Sequence, residues 1–330
     1  MKKLLPIFAI LILIAGCSRA SFPEKLIFDT DFGGDADDLG ALTMLHNLMD
    51  RGECELLAVM CWSVEASAVP AIDALNRYYE HPGIPIGVRK EGVLSDDWNY
   101  SKPIADRFDH ELNYEEAHDA ADLYRRILAE SEDNSVIIVT VGPLKNIQNL
   151  IKSKADASSP LSGKELIEKK VKEFVIMGGQ FPEGENEWNF NGNMPGVTRF
   201  VLQNLAVPVT FSGFEVGIQI KTGAVFNRIE PNTPLYVGFK HFSEHAPWIK
   251  ENYQGMILDN SSYDQTGVLY AVRRGVGIYW DRIEGGYCDA NEKGGNRWIE
   301  TEESNHSYLK LTMDPEEMAR LIESIMLNTF

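Results

Sequence analysis

The chain is poor in cysteine. Its four cysteines, Cys17, Cys54, Cys61 and Cys288, are spread over 330 positions with no CxxC pair. That excludes a disulfide framework or a cysteine-based zinc site as the device that organises the fold. Cys54 and Cys61 flank an apolar segment and read as core thiols. Basic side chains are scarce too: 31 Lys and Arg face 49 Asp and Glu, a formal net charge of −18. Such a surface repels nucleic-acid backbones and anionic lipid headgroups, which leaves small neutral or cationic molecules and metal ions as partners. Internal repeats and linker-like tracts are missing, so one domain is expected. The one long hydrophobic run, residues 4–14, is too short to span a bilayer.

That run follows Lys2 and Lys3 and leads into Ala15-Gly16-Cys17, the layout of a secretory leader. Ile14-Ala15-Gly16 before Cys17 resembles the lipobox of bacterial lipoproteins, which implies lipidation of Cys17 as the mature N terminus. On this reading residues 1–17 are a signal peptide, 18–24 a tether and 25–330 the folded domain, and loss of Lys2 and Lys3 takes the net charge to −20. The protein would then be lipid-anchored in the bacterial cell envelope, periplasmic or surface-facing, with the anchor as its only membrane contact.

Within 25–330, apolar runs and helical periods alternate. Residues 26–28, 55–62, 84–88, 136–141, 171–177 and 207–211 read as strands, several of them continuous apolar runs typical of a parallel sheet buried on both faces. Residues 66–79, 120–130, 143–151 and 195–205 read as helices, as do the residues from Asp38 to Gly52, where Leu39, Leu42, Leu45, Leu48 and Met49 recur at helical spacing. Pro143 is expected in the first turn of its helix. Residues 91–119 have no clean period. Past Ser212 the pattern weakens until Asp264 opens an apolar helix over 268–272, and residues 275–311 then alternate like antiparallel strands. Asp314-Pro315-Glu316-Glu317 is a capping-box signature for a last helix, expected to dock on the sheet. The order predicts an α/β fold: an open, doubly wound, mostly parallel sheet flanked by helices, with added antiparallel strands late in the chain.

What the chain has in excess is acid, concentrated where the first strand ends. Residues 25–42, KLIFDTDFGGDADDLGAL, set Asp29, Asp31, Asp35, Asp37 and Asp38 among an apolar strand, a Gly33-Gly34 turn and a helix. Ligands of open parallel sheets collect at the carboxyl ends of strands. Carboxylates this close repel one another unless a cation joins them. Calcium, which prefers oxygen ligands, is the simplest such cation. A solvated turn with an Asp N-cap accounts for Asp37 or Asp38 but leaves Asp29 and Asp31 without a purpose. An EF-hand loop fails because Gly33 falls on a liganding position.

Four motifs then occur in a telling order. Asp29-Thr30-Asp31-Phe32-Gly33 is followed by Asp37-Asp38. Gly142-Pro143-Leu144-Lys145-Asn146 follows a central strand, Met177-Gly178-Gly179 precedes Glu187-Trp188-Asn189, and Asp264 opens a late helix. From residue 25 to about 272 the chain resembles the inosine-uridine preferring nucleoside hydrolases. The resemblance implies a nucleoside-hydrolase-like fold and a calcium-dependent hydrolase that cleaves the N-glycosidic bond of a nucleoside or related ribosyl compound by direct water attack. It implies Asp31, Asp38 and Asp264 as Ca2+ ligands, together with the backbone carbonyl of Val141, and Asp31 also as general base. Asp37 and Asp264 would hold ribose hydroxyls, and Glu187 and Asn189 the 5′ side of the sugar. Homo-oligomers are frequent in the family.

The chain departs from the family pattern in four places, one of them Asn193, where the resemblance implies an aspartate before Pro195 and the change bears on the helix start only. The asparagine expected after the second strand is replaced by Cys61-Trp62-Ser63-Val64-Glu65, where Ser63 or Glu65 is the available substitute. The histidine of purine-active members, a general acid for the leaving base, is Tyr263 here, with His241, His245 and Trp248 as further candidates. Gly34-Asp35-Ala36 lengthens the turn. Trp62 and Trp188 are candidates for an aromatic wall around a base. Two rival readings stand beside this one. A haloacid-dehalogenase-like phosphatase is disfavoured by Gly33 and by the lack of basic residues for a phosphate. A calcium-dependent binder of nucleosides or sugars keeps the fold and the metal without turnover.

Overall fold

A computed structural model describes residues 23–90 and 98–329. The leader with Cys17 lies outside the described residues. The strands are β1 (Glu24–Thr30), β2 (Cys54–Cys61), β3 (Ile86–Val88), β4 (His118–Asp119), β5 (Val136–Thr140), β6 (Val171–Met177), β7 (Glu183–Gly184), β8 (Val209–Ser212), β9 (Lys221–Thr222), β10 (Asn260–Ser261), β11 (Trp280–Ala290), β12 (Asn296–Glu300) and β13 (His306–Leu311). The α-helices are α1 (Asp37–Asp50), α2 (Ala68–Tyr78), α3 (Ser101–Arg107), α4 (Ala120–Glu130), α5 (Lys145–Lys152), α6 (Gly163–Lys170), α7 (Trp188–Asn191), α8 (Val197–Asn204), α9 (Phe214–Gly217), α10 (Pro234–His245), α11 (Tyr263–Arg273) and α12 (Pro315–Met326).

Eleven strands form one sheet in the order β4-β3-β2-β1-β5-β6-β8-β13-β11-β12-β7, and β9 and β10 make a separate ribbon. Pairing is parallel from β4 through β13 and antiparallel from β13 to β7. The late strands β11, β12 and β13 are thus antiparallel to one another as expected, and β13 joins them to the parallel part by running parallel to β8.

Side chains alternate across a strand, so an apolar run must be covered on both faces. Leu26 and Phe28 pack with apolar residues of α1, α2, α11 and α12, while Ile27 between them packs with α4, α5, α6 and α8. The last helix lies on α1 rather than on the sheet: Asn47 Nδ2 donates to the carbonyls of Ile325 (2.8 Å) and Met326 (2.9 Å). That face of the sheet is already covered by α11, which packs on β5 and β6. Asp314 caps α12 as expected, accepting from Glu316 N and Glu317 N. Pro143 stands ahead of α5, whose N-cap is Leu144, so it is not in the helix's first turn. No helix among the described residues is long and apolar enough to cross a membrane.

The turn after β1 requires glycine. Gly33 has φ +121°, and a Cβ there would lie 2.2 Å from Asn99 Oδ1. Tyr100 N donates to Gly33 O (3.1 Å), and Phe32 packs edge-on against Tyr100 at 5.1 Å between centroids. The loop before α3 thus closes on the acidic turn, an approach that no Cβ-bearing residue permits.

Candidate active site

The strand order reverses between β1 and β5, and ligands of doubly wound sheets bind in the crevice at such a switch point. A cavity of about 770 Å3 opens at the carboxyl ends of these strands. The end of β1 brings Asp31, while the first turns of α1 and α11 bring Asp37, Asp38 and Asp264. Gly142 lets the chain leaving β5 close in, because a Cβ there would lie 2.8 Å from Asp31 N.

Among the described residues, seven carboxylates line the cavity, Asp31, Asp35, Asp37, Asp38, Glu65, Glu187 and Asp264, against one cationic side chain, Arg89. Oxygens of Asp37, Asp38 and Asp264 lie within 4.8 Å of one another, and all three residues are buried. Val141 lines the same cavity, and its backbone carbonyl accepts from Asn189 Nδ2 at 2.9 Å. Around the trio, Thr30 Oγ1 donates to Asp38 Oδ1 and Asp264 N donates to Asp37 Oδ2 (3.4 Å). Asp31 stands outside this trio. Its Oδ2 accepts from the indole Nε1 of Trp188 at 2.9 Å, and the residue is partly exposed to the cavity. The convergent set thus brings Asp37 to the expected Asp38 and Asp264, with Asp31 beside them in the same wall.

Burial raises the pKa values of these acids, and mutual repulsion adds to it. Asp31 and Asp35 are pushed up to about 6, Asp29 to about 7, and Asp37, Asp38 and Asp264 well above the carboxylate range. Asp29 lies behind the site, accepting from Tyr124 Oη (2.9 Å) and Asn146 Nδ2 (3.0 Å). Only oxygen donors converge at the trio, and no His or Cys lines the cavity among the described residues. A buried, oxygen-only group of like charges fits a hard divalent cation such as calcium.

The other expected residues are distributed unevenly. Glu187 is the N-cap of α7, and its carboxylate accepts from the backbone N–H groups of Gly179 (2.8 Å), Asn189 (3.0 Å) and Phe190 (3.0 Å). Burial nonetheless raises its pKa to about 7. It pins the loop as well as lining the cavity. Asn189 Nδ2 is turned toward the carbonyls of Val141 and Met177. Trp62 and Trp188 meet edge to face at 6.5 Å, with the Arg89 guanidinium 4.3 Å from the Trp62 ring. Ser63 Oγ accepts from Glu65 N (3.2 Å). Asp35, from the lengthened turn, accepts from Asn260 Nδ2. Tyr263 stacks on Phe214 at 5.2 Å, and burial pushes its phenol up to about 12.

His241 is not brought to the cavity; it stacks on His245 at 4.1 Å, and neither ring lines the wall. Trp248 does line it, packed edge-on against Trp98 at 5.2 Å. The loop carrying Glu187, Trp188 and Asn189 is held by the late hairpin. Its β7 pairs with β12, and the Asn296 side chain accepts from Gln180 N and donates to Gln180 O, both at 2.9 Å. Asn99, Arg89 and Phe214 in the wall were not among the residues the sequence singled out, and no local pattern marks them.

The family model of the inosine-uridine preferring nucleoside hydrolases matches residues 26–276. No curated protein matches the chain by sequence. Among solved structures, a purine-preferring ribonucleoside hydrolase from Gardnerella vaginalis is similar, with a TM-score of 0.69 and 15% identity over 93% of this chain and 99% of that one. A plant nucleoside hydrolase, PpNRh1, gives a TM-score of 0.66 and 16% identity over 92% and 99%. The type III effector protein XopQ, complexed with adenosine diphosphate ribose, gives 0.65 and 13% over 94% of each chain. At these identities the likeness shows the fold.

Proposed function

Because the chain belongs to the inosine-uridine preferring nucleoside hydrolase family, we propose that it is a calcium-dependent N-glycosyl hydrolase acting on a nucleoside or related ribosyl compound by direct water attack. The observation that carries this reading is the convergence of buried Asp37, Asp38 and Asp264 beside Asp31 at the sheet's switch point. Asp37, Asp38, Asp264 and the Val141 carbonyl are the groups that would hold the cation, with Asp37 and Asp264 also within reach of sugar hydroxyls. When bound, a divalent cation supplies Lewis acidity at neutral pH.

Asp31 is the general base. The Trp188 indole fixes Oδ2, which leaves Oδ1 to take the proton of the attacking water. As the glycosidic bond breaks, its electrons leave with the base and positive charge develops on the sugar. The anionic wall stabilises that oxocarbenium-like state. The Tyr263 phenol keeps its proton at neutral pH, so it is available to the leaving base while the Phe214, Trp98 and Trp248 rings enclose it. The hydroxyl from water ends on the anomeric carbon, so no covalent intermediate is needed.

Purified protein with calcium is expected to release reducing sugar from at least one member of a nucleoside panel. Neither release nor binding across the panel would overturn the reading. A second reading, a binder without turnover, is favoured by the missing cavity histidine, and calcium-dependent binding without release would support it. Residues 1–17 complete the proposal as a lipoprotein leader with lipidated Cys17, which anchors the domain in the cell envelope. The mass of the mature N-terminal peptide tests that part.

A further inference from the structure

One amide in the cavity wall is oriented by its surroundings and left unanswered by them. Asn99, just ahead of α3, is 6% exposed and lines the cavity. Its Oδ1 accepts from Ser101 N (3.1 Å) and Ser101 Oγ (2.6 Å). Because the Ser101 hydroxyl proton goes to Asn99, its oxygen accepts from Ser67 Oγ at 2.7 Å. That contact ties α3 to the β2–α2 loop. A flipped amide would set its NH2 against the N–H of Ser101, so the orientation is fixed by donors. Nδ2 has no hydrogen-bond partner among the described residues, and in the cavity wall it is free to donate to a ligand.

We propose that Asn99 is a specificity-determining residue whose Nδ2 donates to a hydroxyl oxygen of the ligand's sugar. It fills from α3 the place that Ser63 and Glu65 occupy in sequence after β2. Those two are engaged with each other: Ser63 Oγ accepts from Glu65 N (3.2 Å). Gly33 admits Asn99 to this position, since a Cβ there would collide with the amide. The inference rests on the nucleoside reading given above.

The test compares wild type, Asn99→Ala and Asn99→Asp on one nucleoside and on its 2′-, 3′- and 5′-deoxy analogues. The readout is kcat/KM, or Kd where no sugar is released. Asn99→Ala lowers the value for the nucleoside about tenfold and leaves it near wild type for the analogue that lacks the hydroxyl in question. Asn99→Asp, which presents an acceptor instead, falls further on the nucleoside. Calcium affinity of Asn99→Ala stays at the wild-type value while its Tm falls, because buried Ser101 loses its acceptor; the near-wild-type value on the one deoxy analogue is what separates lost recognition from lost structure. The proposal is overturned if Asn99→Ala handles the nucleoside like wild type. It is equally overturned if the loss persists undiminished on all three analogues, which would place the amide on the base. A wild type inert toward the whole panel overturns instead the functional reading on which the inference stands.

Discussion

Asp31→Asn is expected to lower kcat about 1,000-fold while the folded structure is kept. Positioned general bases contribute roughly 100- to 10,000-fold, and Asn has the size of Asp without its basicity. Its Oδ1 can still accept from Trp188 Nε1, the contact that fixes Asp31 Oδ2 at 2.9 Å, so the cavity wall has no reason to rearrange. The decisive measurement is single-turnover release of sugar by metal-loaded protein whose melting temperature matches wild type. Retention of most of the turnover would remove Asp31 from the role of base.

The metal-free protein should lose stability as pH rises from 5 to 8, and calcium should reverse the trend. The folded-state pKa values of Asp29, Asp31, Asp35 and Glu187 are raised to about 7, 6, 6 and 7, while unfolded carboxyls titrate near 4. An acid whose folded pKa is raised binds protons more tightly in the native state. Its contribution is present at low pH and disappears as pH climbs through the folded value. Asp37, Asp38 and Asp264 lie higher still and extend the loss upward. Calcium binds the ionised carboxylates, so it gains most where the metal-free protein is weakest. At 100 times its Kd it adds about 2.7 kcal/mol. Thermal melts at pH 5, 6, 7 and 8, with chelator and with calcium, make the comparison. Asp38→Asn should raise the pH 8 melting temperature in chelator and abolish the calcium response. Melting curves indifferent to both pH and calcium would refute the cation site.

The sequence disclosed most where burial is strongest. β1, β2, β5 and β6 are apolar on both faces, and such runs have few other readings. Their order therefore gave the sheet, its switch point and the acids at its mouth. Short helices were lost. α3 has seven residues, too few to display a period. α6 carries a full Ser162–Glu165 capping box, but only Gly163, Leu166 and Ile167 are buried behind it. α10, capped by Thr233 and opened by Pro234, falls in the stretch past Ser212 where the pattern weakens. At the site, Asp31, Asp37, Asp38, Asp264 and Glu187 were found because each stands at a strand end or helix start with a motif around it. Asn99 reaches the cavity only through long-range packing, which no local pattern encodes, and Arg89, although it follows β3 at the strand's carboxyl end, has no motif around it. His241 failed for the complementary reason: helical geometry at i and i+4 turns it toward His245.

On the proposed function, the pairing of β7 with β12 separates where turnover is adjusted from where it happens. Trp188, which steadies Asp31, belongs to a loop whose position is fixed by Asn296 and by the edge of the β11–β12 hairpin, over a hundred residues later in the chain. Substitutions along that hairpin can shift the indole by fractions of an ångström without altering any group that touches metal or sugar. Related chains could therefore drift in rate while their ligand contacts stay constant, and a search for faster variants has its most permissive targets at the sheet's far edge.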